Sequence, residues 1–367
     1  MRTLRHGTPT EADVHPGQLE KAYEVIHRFV EERRIPGAVI AIGRHGVLIG
    51  PRAFGYAAWE PQKVLLSPDA VYDLASVTKV VATTSCALML LERGVWRLDD
   101  NVRLFVPEFA HDDVRIRHLL THTSGLPAWR ALYKRASTPE AMIHALFRTP
   151  LEYPTGTKVV YSCLGYILLG LAIERISGLT LHEFTQQELF VPLNMQDTGY
   201  LPDPEHCERA TPTEVDPRTG LFKQGIVHDE NACHLGGISG NAGLFSTAAD
   251  LAVFCQLYLN LGTYGSARIF SPHTIDLATQ NHTAHLNAAR GLGWVVKGQD
   301  HFSSAGDLFS PQAYGHTGFT GTSLWIDPVR DLFLVLLTNG VHPKRDASHH
   351  IRLRPLVANA VAAALLR

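Results

Sequence analysis

Runs with strand character lie near the two ends of this 367-residue chain, and the stretch between them is patterned for helices. Gly37 to Ile42 and Val47 to Ile49 are apolar and rich in β-branched residues, and the turn Arg44-His45-Gly46 joins them. Thr322 to Asp327 and Leu332 to Thr338 make a second pair across Pro328-Val329-Arg330-Asp331. Short hairpin connections of this kind build antiparallel sheet. Three flanking segments read as helices: Leu19 to Arg33, a segment capped by Thr247 with Asp250 in the capping-box position and ended by Gly262, and Ile351 to Leu366. From Ser76 to about Glu214 the pattern is helical, with proline-rich connections such as Leu201-Pro202-Asp203-Pro204. The expected fold is α+β. A discontinuous sheet unit, 1–75 with 236–367, carries helices on both faces and is interrupted by a mostly helical unit, 76–235. The interface between two such units is where a cleft is expected.

The helical unit opens on Ser76-Val77-Thr78-Lys79. A serine three residues before a lysine places both side chains on one face of a helix, so the amine reaches the hydroxyl. A serine hydroxyl is a poor nucleophile at neutral pH, and an amine whose charged form is disfavoured by burial or by a second cation can take its proton. Val77, Val80, Val81, Thr84, Leu88 and Leu91 follow the spacing of a buried helical face, and Gly94 is a natural stop. Ser76 therefore stands at a helix N-terminus, where free N–H groups favour developing negative charge. Alone, the pattern is more often a simple N-cap.

Two further segments change that balance. Tyr161-Ser162-Cys163 follows the turn Pro154-Thr155-Gly156 and opens an amphipathic helix with Leu164, Ile167, Leu168 and Leu171 on one face. His316-Thr317-Gly318 lies between Tyr314-Gly315 and the strand starting at Thr322. In this order and at these separations, the three segments resemble the motifs of the penicillin-recognising serine hydrolases. That family holds class C β-lactamases, D-alanyl-D-alanine carboxypeptidases, D-aminopeptidases and esterases on the same scaffold. Asp73 to Lys79, Leu119 to Pro127, Gly240 to Thr247 and Gly315 to Trp325 look like landmarks of the same family and run from about residue 30 onward. The resemblance implies a β-lactamase/transpeptidase-like fold. It also implies roles: Ser76 the acylated nucleophile, Lys79 its partner in proton transfer, and Tyr161 the second half of the base. The oxyanion hole would be the backbone N–H groups of Ser76 and Phe319, and His316, Thr317 and Gly318 would contact substrate across the cleft.

The departures are informative. Cys163 stands where the β-lactamase pattern has asparagine, and a thiol cannot supply an amide's two-sided hydrogen bonding. His316 replaces a lysine, which removes a fixed positive charge and makes carboxylate recognition weaker and more pH-dependent. Both changes point away from a resistance-type β-lactamase and toward the esterase and D-amino-acid peptidase branches.

Competing readings of the same residues are weaker. Cys163 has no catalytic signature around it and reads as a small residue at the mouth of a helix. Cys86, Cys207, Cys233 and Cys255 lack C-x-x-C spacing, so free thiols in a reducing compartment are the simplest account. His118 and His122 are four apart but lack the glutamate of a zincin, and neither a metal nor a cofactor is called for. Gly237-Ile238-Ser239-Gly240-Asn241 lacks the last glycine of a nucleophile elbow and reads as a tight loop beside the cleft, while Ser124 reads as a turn. Among aromatic residues near the motifs, Trp129, Tyr133, Tyr166, Phe222, Phe245 and Phe319, some are expected to line an acyl pocket and most to pack in the core.

Composition fits an enzyme of this kind. A formal net charge of −2 gives no footprint for nucleic acid. Met1 to Gln18 is polar and lacks an apolar signal core, and no uncharged apolar stretch of membrane-spanning length is present. A cytoplasmic setting without a membrane partner is expected, with a periplasmic or secreted one if a signal has been removed. The reading reached is a serine hydrolase acting through a Ser76 acyl-enzyme on small esters or D-amino-acid amides. A true β-lactamase or D-alanyl-D-alanine carboxypeptidase is the first alternative, and a non-catalytic peptide-binding or self-assembling descendant the second.

Overall fold

The computed structural model describes residues 3–298, 303–345 and 348–366. Its centre is a seven-strand path built from both ends of the chain. In chain order the strands are β1 (Arg5–His6), β2 (Gly37–Arg44), β3 (Val47–Ala58), β4 (Val295–Val296), β5 (Tyr314–Thr317), β6 (Ser323–Asp327) and β7 (Leu332–Leu337). Their order across the sheet is β1-β3-β2-β7-β6-β5-β4, with the two-residue strand Val64–Leu65 pairing with β3 to one side. The seam between the two ends is the antiparallel β7–β2 pair, whose register runs from Leu332 opposite Arg44 to Leu337 opposite Val39. The β2–β3 turn is tight because His45 and Gly46 both take positive φ, 54° and 76°.

Every residue of β2, β6 and β7 is buried, as expected of strands covered on both faces. The pleat sorts them. Ile40, Ile42, Leu332, Leu334 and Leu336 join an outer layer with Leu19, Ile26 and Phe29 of α1 (Pro16–Glu31) and Leu353 and Val357 of α5 (Ser348–Ala363). Val39, Ala41, Phe333, Val335 and Leu337 face the other way, into a larger core. That core holds α2 (Ala75–Glu92), α3 (Cys163–Ser177) and α4 (Ala248–Leu259).

Several expectations are corrected. The sheet is mixed, since β1 runs parallel to β3, pairing Arg5 with Val47 and His6 with Leu48. The polar N-terminal segment thus supplies an edge strand, which no hairpin signal announces. β3 continues to Ala58, well past Ile49, because beyond Gly50 it is half-exposed and loses the apolar run that marks its start. The stretch expected to be helical contributes to a three-stranded sheet of Tyr72–Asp73, Gly199–Tyr200 and Leu244–Ser246. Thr247 caps α4 by accepting from the Asp250 N–H, but Asp250 turns away to accept from the Asp197 N–H and Thr198 Oγ1, so the capping box is only half made. Among the described residues one helix, Ala75–Glu92, has the length and apolarity to cross a membrane. It is 83% buried inside the protein, so core packing accounts for its composition.

Candidate active site

The segment entering α2 is fixed from both sides. Asp73 accepts from the Ala75 N–H at 2.8 Å through one carboxylate oxygen and from the His228 N–H at 2.6 Å through the other. The carbonyls of Asp73 and Leu74 accept from Thr320 and Thr322, next to the His-Thr-Gly strand end. Ala75 takes a left-handed φ of 46°, a conformation an alanine adopts only when its surroundings over-determine it, and Ser76 follows, half-buried at the cleft. The helix begins as a 3₁₀ turn, Ala75–Val77, and widens to a π-helix over Lys79–Thr84 before becoming regular at Ser85. Such widened turns recur at functional sites.

Lys79 is fully buried on the same helix face. Its Nζ donates to Ser76 Oγ at 3.1 Å and to the Asn241 carbonyl at 2.8 Å, and lies 3.5 Å from Cys163 Sγ. Burial disfavours its ammonium, yet Cys163 and Tyr161, negative once ionised, outweigh burial and hold Lys79 above the ordinary lysine range. Burial alone therefore does not decide the amine's charge, because its two ionisable neighbours pull the other way.

Tyr161 is held by His122. This histidine, itself at a left-handed φ of 58°, accepts from the Val160 N–H through its carbonyl and from the Ser162 N–H through Nδ1, bracketing the tyrosine on both sides. The Tyr161 ring lies 5.0 Å from Lys79 Nζ, 4.6 Å from the His122 ring and 5.9 Å from the His316 ring. Its hydroxyl is buried beside the side chains of Lys79 and Ser76, both of which act on it, without a well-aligned hydrogen bond to either. Burial raises the phenol, with Lys79 pulling the other way. Ser162 caps α3 by accepting from the Gly165 N–H and donates to the Pro127 carbonyl, which leaves Cys163 as the first helical residue, half-buried and facing the cleft.

The opposite wall is the end of β5. Arg354 of α5 donates to the carbonyls of Gly318 and Thr322 and pins the strand end. Gly318 is required by close approach, since a Cβ there would sit 2.2 Å from Thr322 Oγ1 and 2.4 Å from the Leu74 carbonyl oxygen. His316 is buried, and burial together with Lys79 and Arg290 depresses it well below the ordinary histidine range. It is therefore neutral across the physiological range, which corrects the expected pH-dependent charge. Phe319 leaves its ring 44% exposed, stacked on His228 at 5.7 Å. Among the described residues none accepts from its N–H.

Ser76, Tyr161, Cys163, His316, Thr317, Gly318 and Phe319 thus line one cleft of about 580 Å³, with Lys79 directly behind Ser76. Of the aromatic candidates, Trp129 and Phe319 line it, whereas Tyr166 and Phe245 are core residues, Tyr133 packs partly buried against the core and Phe222 packs at a tilt against His342 elsewhere. His118 and His122, four residues apart, each use a ring nitrogen to accept a backbone N–H, from Arg115 and Ser162 respectively. Ser124 accepts from the Leu126 N–H within its turn. All five cysteines are free. Two residues went unread as site components: His122, whose bracketing role depends on its backbone angle, and Arg290, a cleft-lining arginine in a loop with no motif.

The profile of the β-lactamase family matches residues 23–359. The chain belongs to the β-lactamase family. Its members here are serine hydrolases and their relatives. The N-acetylmuramyl-L-alanine amidase of Bacillus subtilis is 35% identical over 366 residues, covering 89% of this chain and 81% of the amidase. Among solved structures, EstCE1, described as a hydrolase with promiscuous acyltransferase activity, superposes with a TM-score of 0.75 at 25% identity, over 94% of this chain and 99% of its own. A penicillin-binding protein homologue from Caulobacter crescentus shares the fold with a TM-score of 0.74 at 21% identity, over 95% and 98%.

Proposed function

We propose that this β-lactamase-family hydrolase works through an acyl-enzyme on Ser76 and acts on small esters or D-amino-acid amides. The observation that carries the reading is the 3.1 Å contact between Lys79 Nζ and Ser76 Oγ at the floor of the cleft. Ser76 Oγ attacks the carbonyl while its proton passes into the Lys79–Tyr161 pair, which must first have released a proton of its own. The N–H groups of Ser76 and Phe319 receive the oxyanion. Tyr161 returns a proton to the leaving group and then draws one from the deacylating water. Cys163 in the asparagine position favours esters over peptide amides, while the relative named as an amidase favours the amide side. The five free thiols support a reducing, cytoplasmic setting, which fractionation of the source cell tests.

Intact-protein mass spectrometry after exposure to a p-nitrophenyl acyl ester and, separately, to a penicillin tests the reading. An adduct that disappears in Ser76→Ala supports it, and the ester-to-penicillin preference assigns the branch. No adduct and no released nitrophenol from either reagent overturns it.

A further inference from the structure

The two N–H groups assigned to the oxyanion come from elements far apart in the chain, Ser76 at the entry to α2 and Phe319 just past the end of β5. One cluster on the cleft rim reaches both. His228, its side chain only 4% exposed, uses three polar groups: its N–H donates to Asp73 at 2.6 Å, its carbonyl accepts from Lys223 Nζ at 3.3 Å, and its Nε2 lies 2.9 Å from Glu214 Oε1. Asp73 in turn accepts from the N–H of Ala75, the left-handed residue directly before Ser76.

The second arm leads to Phe319. Glu214 Oε1 also accepts from Arg345 Nε at 3.2 Å, and Arg345 Nη2 donates to Glu230 at 2.8 Å. The Phe319 ring stacks on His228 with 28° between the planes, and the Arg345 guanidinium carbon lies 5.5 Å from the centre of the same ring. Nearly half exposed, that ring gains little from burial, so the imidazole and the guanidinium are what fix it. Glu214 joins the two arms. His228 and Arg345 hold its carboxyl down to about 2 against the pull of burial, which keeps it an anion at neutral pH.

An oxyanion hole works only when its donors aim at one point, and a misplacement of about 1 Å costs on the order of 10²-fold in rate. We propose that Glu214, His228 and Arg345 are positioning residues that set the Ser76 and Phe319 N–H groups against each other, with Glu214 as their shared centre. This rests on the acyl-enzyme reading, which supplies the oxyanion. The cluster takes no part in the bond changes. As Ser76 Oγ adds to the carbonyl, the electron pair moves onto the oxygen, and only the aim of the two donors depends on Glu214.

The test compares single-turnover acylation by p-nitrophenyl acetate and by its thionoester, in which sulfur, a weak acceptor, replaces the carbonyl oxygen. In Glu214→Gln, acylation by the ester should fall about 10- to 100-fold with apparent binding within about twofold, and the oxygen-over-sulfur rate ratio should fall about fivefold or more. Arg345→Gln should act the same way to a smaller degree, and Arg345→Lys should recover part of the loss. The double variant should lose little beyond Glu214→Gln, because the two side chains act as a unit. An unchanged rate, or ester and thionoester rates that fall by the same factor, overturns the proposal, since a merely structural loss lowers both alike. Should Glu214→Gln not fold, Arg345→Gln, at the exposed end of the cluster, decides by the same ratio. Ser76 labelled by the ester with an unmoved ratio removes the cluster's role and leaves the acyl-enzyme standing, whereas an unlabelled Ser76 in the wild type removes both.

Discussion

On the outer face of the sheet, Ile40, Ile42, Leu334 and Leu336 meet α1 and α5 in a layer whose members are nearly all apolar. On the inner face the same strands turn Val39, Ala41, Phe333 and Val335 toward the core that holds α2, the helix of Ser76 and Lys79. Around the cleft at that side, His122 Nε2, His316 Nε2 and two nitrogens of Arg290 are buried and, among the described residues, meet no hydrogen-bonding partner. A buried polar atom left alone costs about 1–3 kcal/mol, so the two faces are built for different ends. The outer layer is optimised for stability, and the cleft side holds polarity in readiness for a reaction at stability's expense.

Ser76→Ala against Phe29→Ala is the strongest way to break this contrast. Ser76→Ala should lower ester turnover at least about 10⁴-fold while denaturant unfolding shifts by no more than about 0.5 kcal/mol. Phe29→Ala, in the outer layer, should destabilise by about 3–5 kcal/mol with turnover per folded molecule unchanged. If the two effects exchange places, the division of labour is wrong. Tyr161→Phe sharpens the point: turnover should fall about 10²–10⁴-fold, yet stability should change by no more than about 1 kcal/mol, because the hydroxyl it loses has no well-aligned hydrogen bond. A clear drop in Tm would show that the hydroxyl is satisfied after all. For His122→Ala, removal of the acceptor facing the Ser162 N–H should cost about 1–3 kcal/mol and slow turnover about 10- to 100-fold through misplacement of Tyr161. Equal kcat with lowered stability would confine His122 to a structural role.

The smallest effect concerns pH. Burial raises Tyr161, and Cys163 and Tyr161 raise Lys79 once they ionise, so the pair gains basicity as pH rises. Ester kcat/KM should climb through pH 8 and beyond, with no limb near 6.5, since His316 is neutral well below that point. His316→Ala should leave the shape of the profile intact, and a limb near 6.5 that it abolishes would contradict the buried, uncharged histidine.

The legible parts of this protein are those whose physics is local. β2 and β7 show as short apolar runs beside turn residues, and Ser76 and Lys79 share a face because i and i+3 always do on a helix. The motif around Tyr161 marked its position, but not the His122 bracket, which depends on a backbone angle set by tertiary contacts. Strands of two residues, such as Arg5–His6 and Tyr72–Asp73, are too short to carry a period. The neutral state of His316 follows from burial among cations, and Arg290 sits in a loop whose neighbours in space are far off in sequence. Neither leaves a trace in residue order.

The β7–β2 seam also sets a clock. Leu332 pairs with Arg44 across roughly 290 residues of intervening chain. At synthesis rates of about 5–20 residues per second, the partner edge reaches a waiting β2 about 15 to 60 seconds later. Until then the hairpin of β2 and β3 presents an unpaired edge, apolar from Gly37 to Gly43, to the crowded environment of the ribosome. This protein is therefore one whose yield depends on shielding a nascent strand, and slowing translation before β7 should raise aggregation even though the finished fold is unchanged.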